Sequence, residues 1–143
     1  MIKRVPTVLS NTEEISFFIL ENKFLKVKIL DVGATIMSIQ YKPLKRETVL
    51  GFKNYVDVLA SSFYLGATVG RIGNRIRKGK FTLNGIDYQL PLNGRHHLHG
   101  GPHGFDKQRF AAEILDDELI LKLISKDGDS GYRGTLDIQM VFV

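Results

Sequence analysis

The sequence contains no cysteine, so neither a disulfide framework nor a thiolate metal site is available to the chain. It also lacks any apolar run that approaches the roughly 18 residues needed to cross a bilayer. Residues 1–6 have neither the apolar stretch nor the small-residue cleavage site of a signal peptide. From these absences we expect a cytoplasmic protein with no membrane partner.

Acidic residues are fewer than basic ones, which gives a formal net charge of +5 and an isoelectric point near 9.5. Five basic residues lie in one stretch, residues 71–80, which contains no acidic residue. A nucleic-acid-binding face usually adds aromatic stacking platforms or a recognisable module, and neither surrounds these arginines. Charge alone is weak support for such a role, and we expect no nucleic-acid partner.

The composition is that of a globular protein, with 43% hydrophobic and 24% charged residues. A chain of 143 residues is about one domain long. A domain of that size can bury roughly 68–70% of its unfolded surface, so an ordinary hydrophobic core is possible.

Hydrophobic periodicity along the chain is that of β-strands. Apolar residues alternate with lysines over residues 25–29, which is the two-residue period of a half-buried strand. Residues 15–20 form an apolar run of strand length, and residues 35–41 are rich in β-favouring side chains. We predict strands at these three places, a further short strand at residues 49–52, and a single helical turn near residues 54–60.

The clearest element is a hairpin over residues 80–90. Its Asn84-Gly85 pair is the preferred sequence of a two-residue type I′ turn, in which both positions need positive φ. The register set by this turn gives one face to Phe81, Leu83, Ile86, Tyr88 and Leu90. We predict that this face lies in the core, so that truncating Phe81 to alanine costs about 3–5 kcal/mol.

The last third of the chain continues the same pattern. Residues 109–115 and 118–124 flank an aspartate pair and predict a second hairpin, and residues 127–134 are turn-forming throughout. Residues 136–142 alternate apolar and polar as a last strand. The predicted fold class is all-β, an antiparallel β-sandwich. Because the strand pattern is still running at Val143, we expect a truncated domain.

All four histidines lie in one polar segment, residues 93–104. Imidazoles suit zinc, copper, iron or nickel, but no carboxylate or cysteine lies among them, and a closed structural zinc site needs four ligands. The alternation from His97 to His99 also begins like a histidine-triad nucleotide-transfer motif, but Gly100-Gly101 interrupts it. Both possibilities stay open from the residues alone, and we predict no metal site.

Four blocks of sequence together carry a family resemblance. Residues 66–76 match the pattern G-A-x-x-G-R-x-x-N-R-I, and residues 81–90 match F-x-[LVI]-x-G-x-x-Y-x-L. Residues 98–107 match L-H-G-G-x-x-G-F-D-K, and residues 128–136 resemble a glycine-rich G-x-x-G-Y loop. In this order the blocks resemble the aldose 1-epimerases (galactose mutarotases), and the resemblance covers nearly all of this chain but only the first part of the family's longer one.

The resemblance implies a galactose-mutarotase-like supersandwich, with residues 1–143 as the N-terminal portion of a single domain. It also implies that Asn74 and Arg75 contact hydroxyls of a hexose, and that His99 lies near the sugar ring. The chemistry suits these roles, because a guanidinium fork and an amide can hydrogen-bond hydroxyls held in fixed directions. No cofactor is implied. The remaining histidines match no site position of the family and are expected at the surface: His96, His97 and His103.

Members of the family interconvert the α and β anomers of aldohexoses such as galactose or glucose. A base removes the C1 hydroxyl proton, an acid protonates the ring oxygen, and the opened aldehyde rotates and recloses. In the family the acid is a histidine in an N-H-x-Y-F-N-L-type motif and the base is a glutamate near the C-terminus, and neither motif occurs in residues 1–143.

We therefore expect the catalytic pair beyond Val143, and an isolated chain that is inactive and self-associates through its exposed C-terminal strand. The alternative is a non-catalytic carbohydrate-binding or sugar-sensing module on the same fold. The choice between galactose, glucose and a hexose phosphate is not specified by the sequence.

Overall fold

The computed structural model describes residues 1–8 and 14–143, which form mainly antiparallel strands. The strands are β1 (Ile2–Val8), β2 (Glu14–Glu21), β3 (Leu25–Leu30), β4 (Thr35–Tyr41), β5 (Arg46–Glu47), β6 (Arg75–Ile76), β7 (Lys80–Leu83), β8 (Ile86–Gln89), β9 (His97–Leu98), β10 (Ala111–Leu115), β11 (Glu118–Ser125) and β12 (Leu136–Phe142). The α-helix is α1 (Tyr55–Ala60), and the 3₁₀ turns are Lys42–Leu44, Arg77–Gly79, Phe105–Lys107 and Asp129–Gly131.

Two antiparallel sheets make up the body of the described chain. The first has five strands in the order β1-β2-β3-β4-β5, and the second has three in the order β10-β11-β12. Two small ribbons, β6–β9 and β7–β8, complete the pairing. The all-β class, the three N-terminal strands, both hairpins, the last strand and the short helix are thus confirmed.

The first sheet is covered on both faces, which explains the continuous apolar run in β2. Successive side chains of a strand point to opposite faces. Phe18 accordingly enters a core shared with Leu119 and Leu121 of the second sheet. Phe17 enters a second core, which includes Val58 of α1.

A buried carboxylate links the first sheet to the segment that leads into the second. Oδ2 of Asp31 accepts hydrogen bonds from the backbone N–H of Ser16 and from Nε of Arg109, each at 3.0 Å. The side chain of Asp31 is almost fully buried, and this burial raises its pKa, while the two donors oppose the rise.

The predicted burial of the β7–β8 hairpin face is wrong. The turn and register are as predicted, with Asn84 and Gly85 at positive φ and Leu83 paired with Ile86. However, Leu83 is 56% exposed and Ile86 is 58% exposed, whereas Leu90 is buried. Within the described residues the two strands pair only with each other. Alternation identifies the side chains that share a face, but not what covers that face.

The predicted strand at residues 49–52 is also wrong. Pairing with β4 occurs earlier, in β5, where the Glu47 carboxylate accepts hydrogen bonds from the backbone N–H groups of Ile39 and Thr48. The chain then passes so close to β4 that a Cβ on Gly51 would overlap the carbonyl oxygen of Met37. Residues 49–52 therefore pass β4 without pairing as a strand.

Candidate functional site

Asn74 and His99 are joined by two hydrogen bonds. The backbone N–H of Asn74 donates to Nδ1 of His99 at 2.9 Å, and the backbone N–H of His99 donates to the Asn74 carbonyl oxygen at 3.1 Å. Arg75 begins β6 and pairs with Leu98 of β9, and its Nη1 lies 3.5 Å from Oδ1 of Asn74. The structure therefore brings together the three residues expected to bind sugar.

The hydrogen bond at Nδ1 determines the tautomer of His99. A backbone N–H can only donate, so Nδ1 accepts and the neutral imidazole carries its proton on Nε2. Among the described residues, none hydrogen-bonds to Nε2. The half-buried ring therefore presents an N–H donor beside the exposed side chains of Asn74 and Arg75.

The backbone at these positions is unusual for residues other than glycine. Asn74 has φ +67° and His99 has φ +50°, both in the left-handed region. Such conformations cost roughly 1–3 kcal/mol and persist only where the surroundings determine them. The reciprocal hydrogen bonds do this here, together with a close approach in which a Cβ on Gly100 would overlap the Gly70 carbonyl.

Two further groups lie beside His99 that sequence reasoning did not assign. The Tyr64 ring contacts the His99 ring with centroids 4.6 Å apart and planes at 63°. Asp106 lines the same groove as Tyr64, is 7% exposed, and has one carboxylate oxygen, Oδ1, that is buried without a partner. Asp106 belongs to the G-F-D-K block, which identifies the residue but not its burial. Tyr64 lies outside every block of the family pattern, so nothing in the sequence singled it out.

Burial dominates the electrostatics of both groups. It raises the pKa of Asp106, while the charge of Lys107, whose Nζ lies 3.8 Å from Oδ2, opposes the rise. Burial also raises the pKa of Tyr64, and the nearby Asp106 carboxylate adds to that rise. The phenol of Tyr64 is therefore neutral at physiological pH.

The expectation that His97 lies at the surface is wrong. Its ring is fully buried, with Nδ1 donating to the Pro91 carbonyl oxygen at 2.7 Å and Nε2 accepting from the Tyr132 hydroxyl at 2.7 Å. Burial raises the pKa of Tyr132, an effect that the charge of Arg71 opposes. Because His97 begins β9, this pair supports the strand that carries the chain to His99.

Arg71 ties the 127–134 loop to the site segment. Its guanidinium donates to Oγ of Ser125 at 3.0 Å and to the carbonyl oxygens of Ser125 and Lys126 at 2.8 Å each. It also donates to the Gly134 carbonyl oxygen at 2.8 Å. The guanidinium of Arg71 thus makes structural hydrogen bonds within the protein, although the sequence places Arg71 in the basic stretch of residues 71–80.

The other two histidines differ from His97. Nδ1 of His96 accepts from the backbone N–H of Lys78 at 3.1 Å, and the ring is half-buried. His103 is exposed. Across residues 1–8 and 14–143, no group of three or more histidine or acidic side chains could hold a metal ion. In the same residues, no helix has the length and apolar character needed to cross a membrane.

Known proteins resemble this chain in both sequence and structure. The family model described as aldose 1-epimerase matches residues 17–143. The galactose mutarotase of Sus scrofa is 38% identical over 129 residues, covering 87% of this chain and 38% of that protein. The aldose 1-epimerase of Haemophilus influenzae is 39% identical over 124 residues, covering 82% of this chain and 35% of that protein.

Among solved structures, the galactose 1-epimerase from Lactobacillus acidophilus NCFM matches with a TM-score of 0.87 at 28% identity, over 99% of this chain and 43% of that one. The chain thus spans less than half the length of the relatives it matches. The family match covers the first sheet from within β2 onward and all of the second sheet, and it includes Asn74, Arg75 and His99. This chain belongs to the aldose 1-epimerase family.

Proposed function

We propose that this chain provides the sugar-binding part of an aldose 1-epimerase site for a hexose such as galactose or glucose. The observation that carries the proposal is the pair of hydrogen bonds between Asn74 and His99, which leaves Nε2–H of His99 as a donor. Arg75 stands next to this donor with its guanidinium exposed. Family membership supplies the substrate class.

The three side chains can divide the recognition of a pyranose between them. The guanidinium of Arg75 and the amide of Asn74 can each hydrogen-bond hydroxyls whose directions the ring fixes. Nε2–H of His99 can donate to the ring oxygen, where negative charge develops as the ring opens. These groups would thereby bind the sugar and favour ring opening, without moving both protons themselves.

The proposal assigns the general acid and base to other residues. The N-H-x-Y-F-N-L-type motif is absent from residues 1–143, and the 129 matched residues cover 38% of the Sus scrofa protein. We therefore place the proton-transfer pair in the part of the family's length that residues 1–143 do not represent. The 143-residue chain by itself is expected to bind hexose and not to accelerate anomer exchange.

Titration of the ¹⁵N-labelled chain with galactose and glucose tests the binding half of the proposal. Amide shifts should concentrate at Asn74, Arg75 and His99. Arg75→Ala should weaken binding by at least about tenfold, because it removes hydrogen bonds from a charged donor. Arg77→Ala is the matched control, since Arg77 is also an exposed arginine, two residues further on. Equal losses at the two positions would mean that general charge, not a specific contact, binds the sugar.

A non-catalytic carbohydrate-binding or sugar-sensing function is the second candidate. The absence of the acid and base motifs favours it for any polypeptide that holds only these residues. Polarimetry of freshly dissolved α-galactose separates the two functions. A polypeptide extended to the family's length should accelerate mutarotation if it is an epimerase, and should bind without acceleration if it is a sensor.

Self-association and a cytoplasmic location stay predictions. β12 pairs with β11 along one edge, and within the described residues no strand pairs with its other edge. An open strand edge is a template for pairing with another chain. Size-exclusion chromatography over a range of concentrations should therefore show a dimer or larger species, and a monomer at every concentration would contradict the prediction.

A further inference from the structure

Tyr64 is held in place by the segment that follows it. The Gly66 carbonyl oxygen accepts a hydrogen bond from the backbone N–H of Ile36 at 2.9 Å, and the backbone N–H of Thr68 donates to the Gly33 carbonyl oxygen at 2.8 Å. These bonds attach the segment to β4 and to the turn before it. The Tyr64 carbonyl oxygen accepts a hydrogen bond from the backbone N–H of Ala67 at 3.3 Å, so the Tyr64 backbone is linked to the first sheet through this segment.

The His99 ring needs a second restraint besides its hydrogen bond. The bond from Asn74 to Nδ1 holds one edge of the imidazole, but the terminal torsion of a histidine is broad, and one bond does not define the plane of the ring. The direction of Nε2–H depends on that plane. An imprecise direction would weaken any hydrogen bond to a bound oxygen, since such bonds are steeply angle-dependent.

The Tyr64 ring supplies that restraint. Aromatic pairs prefer tilted or edge-to-face arrangements with centroids within about 4.5–7 Å, and the Tyr64–His99 pair has this geometry at 4.6 Å and 63°. The contact is made by the ring, because the Tyr64 hydroxyl has no hydrogen-bond partner among the described residues. The imidazole is thus held by a hydrogen bond at one edge and by an aromatic ring against it.

We infer that Tyr64 is a positioning residue that orients His99 for hydrogen bonding to the sugar. The inference rests on the proposed sugar-binding function and extends it to a residue outside the Asn74, Arg75 and His99 set. Its physical content is that the aromatic ring, not the hydroxyl, is required, and that the requirement operates through His99.

The galactose affinities of two Tyr64 variants test whether the aromatic ring, not the hydroxyl, is required. Tyr64→Phe keeps the ring and should bind galactose within about twofold of the unmodified chain. Tyr64→Leu removes the aromatic contact and should weaken binding roughly tenfold, the upper range for the loss of one aromatic pair. Equal losses in the two variants would overturn the inference and assign the effect to the hydroxyl.

A double-mutant cycle with His99→Gln tests whether Tyr64 acts through His99. If Tyr64 acts through His99, Tyr64→Leu should cause no further loss of affinity once His99 has been replaced. A general folding defect, or direct contact between Tyr64 and the sugar, would persist in the His99→Gln background and would overturn the inference.

The free chain provides a readout that does not depend on sugar binding. In the unmodified chain and in Tyr64→Phe, a strong nuclear Overhauser effect should connect Hε1 of His99 with the Asn74 amide proton, because the Nδ1 hydrogen bond places them close together. It should weaken in Tyr64→Leu, and an unchanged signal there would overturn the inference. If no hexose binds the unmodified chain, the proposed function fails, and this measurement still decides the role of Tyr64.

Discussion

Two ribbons of this protein, both within family-like sequence blocks, differ in what holds them. The β7–β8 hairpin has four residues in each strand, is joined by a two-residue turn, and is formed from neighbouring sequence. The β6–β9 ribbon has two residues in each strand and is formed from distant sequence. The longer and more regular ribbon exposes Leu83 and Ile86 of its apolar face, whereas the shorter one is held by buried and reciprocal contacts.

The short ribbon gains its definition from tertiary structure. The buried side chain of His97, in β9, contacts Tyr132, Gly100 packs against the Gly70 backbone, and Asn74 and His99 exchange hydrogen bonds. Local regularity is therefore a poor guide to how tightly a segment is restrained. A site that must hold hydrogen-bond donors in fixed directions benefits from such tertiary contacts more than from a regular strand ladder.

Replacing one glycine by alanine in each region should give the largest difference in stability between the two ribbons. Gly100→Ala adds a Cβ that overlaps the Gly70 carbonyl oxygen, at a residue with φ +93°, and should cost about 4 kcal/mol or more. Gly85→Ala in the hairpin turn has a positive φ of +76° but nothing within 4 Å, and should cost about 1–2 kcal/mol. Urea unfolding followed by circular dichroism measures both, and similar losses would contradict the contrast.

Truncation of two phenylalanines should give the next largest difference. Phe18 is fully buried between the sheets, and Phe18→Ala should cost about 3–5 kcal/mol. Phe81 is half-buried and stacks on Tyr88 at 4.8 Å, so Phe81→Ala should cost about 1 kcal/mol, less than the sequence predicted. Thermal unfolding of the two variants provides the test. A loss above about 3 kcal/mol at Phe81 would restore the original expectation of a buried face.

Removal of one hydroxyl in each region should again destabilise the protein more near the β6–β9 ribbon than in the hairpin, by smaller amounts. Tyr132→Phe leaves the buried Nε2 of His97 without its donor and should cost about 1–3 kcal/mol. Thr82→Val removes an exposed hydrogen bond to Asp87 in the hairpin and should change stability by less than about 0.5 kcal/mol. Chemical denaturation at neutral pH compares them, and a larger loss for Thr82→Val would contradict the assignment of His97 as a support.

The pH dependence of Asp106→Asn should reveal the buried carboxylate of the site region. Burial raises the pKa of Asp106 above its ordinary value of 3.8, so between 3.8 and the native pKa the native state keeps a proton that the unfolded chain has lost. The stability contributed by this proton is complete below pH 3.8 and is lost as pH rises through the native pKa. The variant should therefore gain stability relative to the unmodified chain over that rise, and parallel stability–pH curves would show that Asp106 is solvated.

The sequence by itself determined the longer strands from β2 onward and both hairpins, and its resemblance to a known family identified the candidate site. Alternation at residues 25–29 and the Asn84-Gly85 turn act through neighbouring residues, so they can be recognised without knowledge of the fold. Asn74, Arg75 and His99 were identified because their blocks resemble a known family. That resemblance identified which residues belong to the site, but it did not predict the direction of any side chain.

Tertiary structure decided what those patterns leave open. The exposure of Leu83 and Ile86 depends on which elements pack against the hairpin, and the burial of His97 depends on Tyr132, 35 residues away. The tautomer of His99 follows from a backbone N–H in a different segment. Each of these depends on contacts between residues far apart in the chain, and short-range periodicity contains no information about them because it samples only adjacent positions.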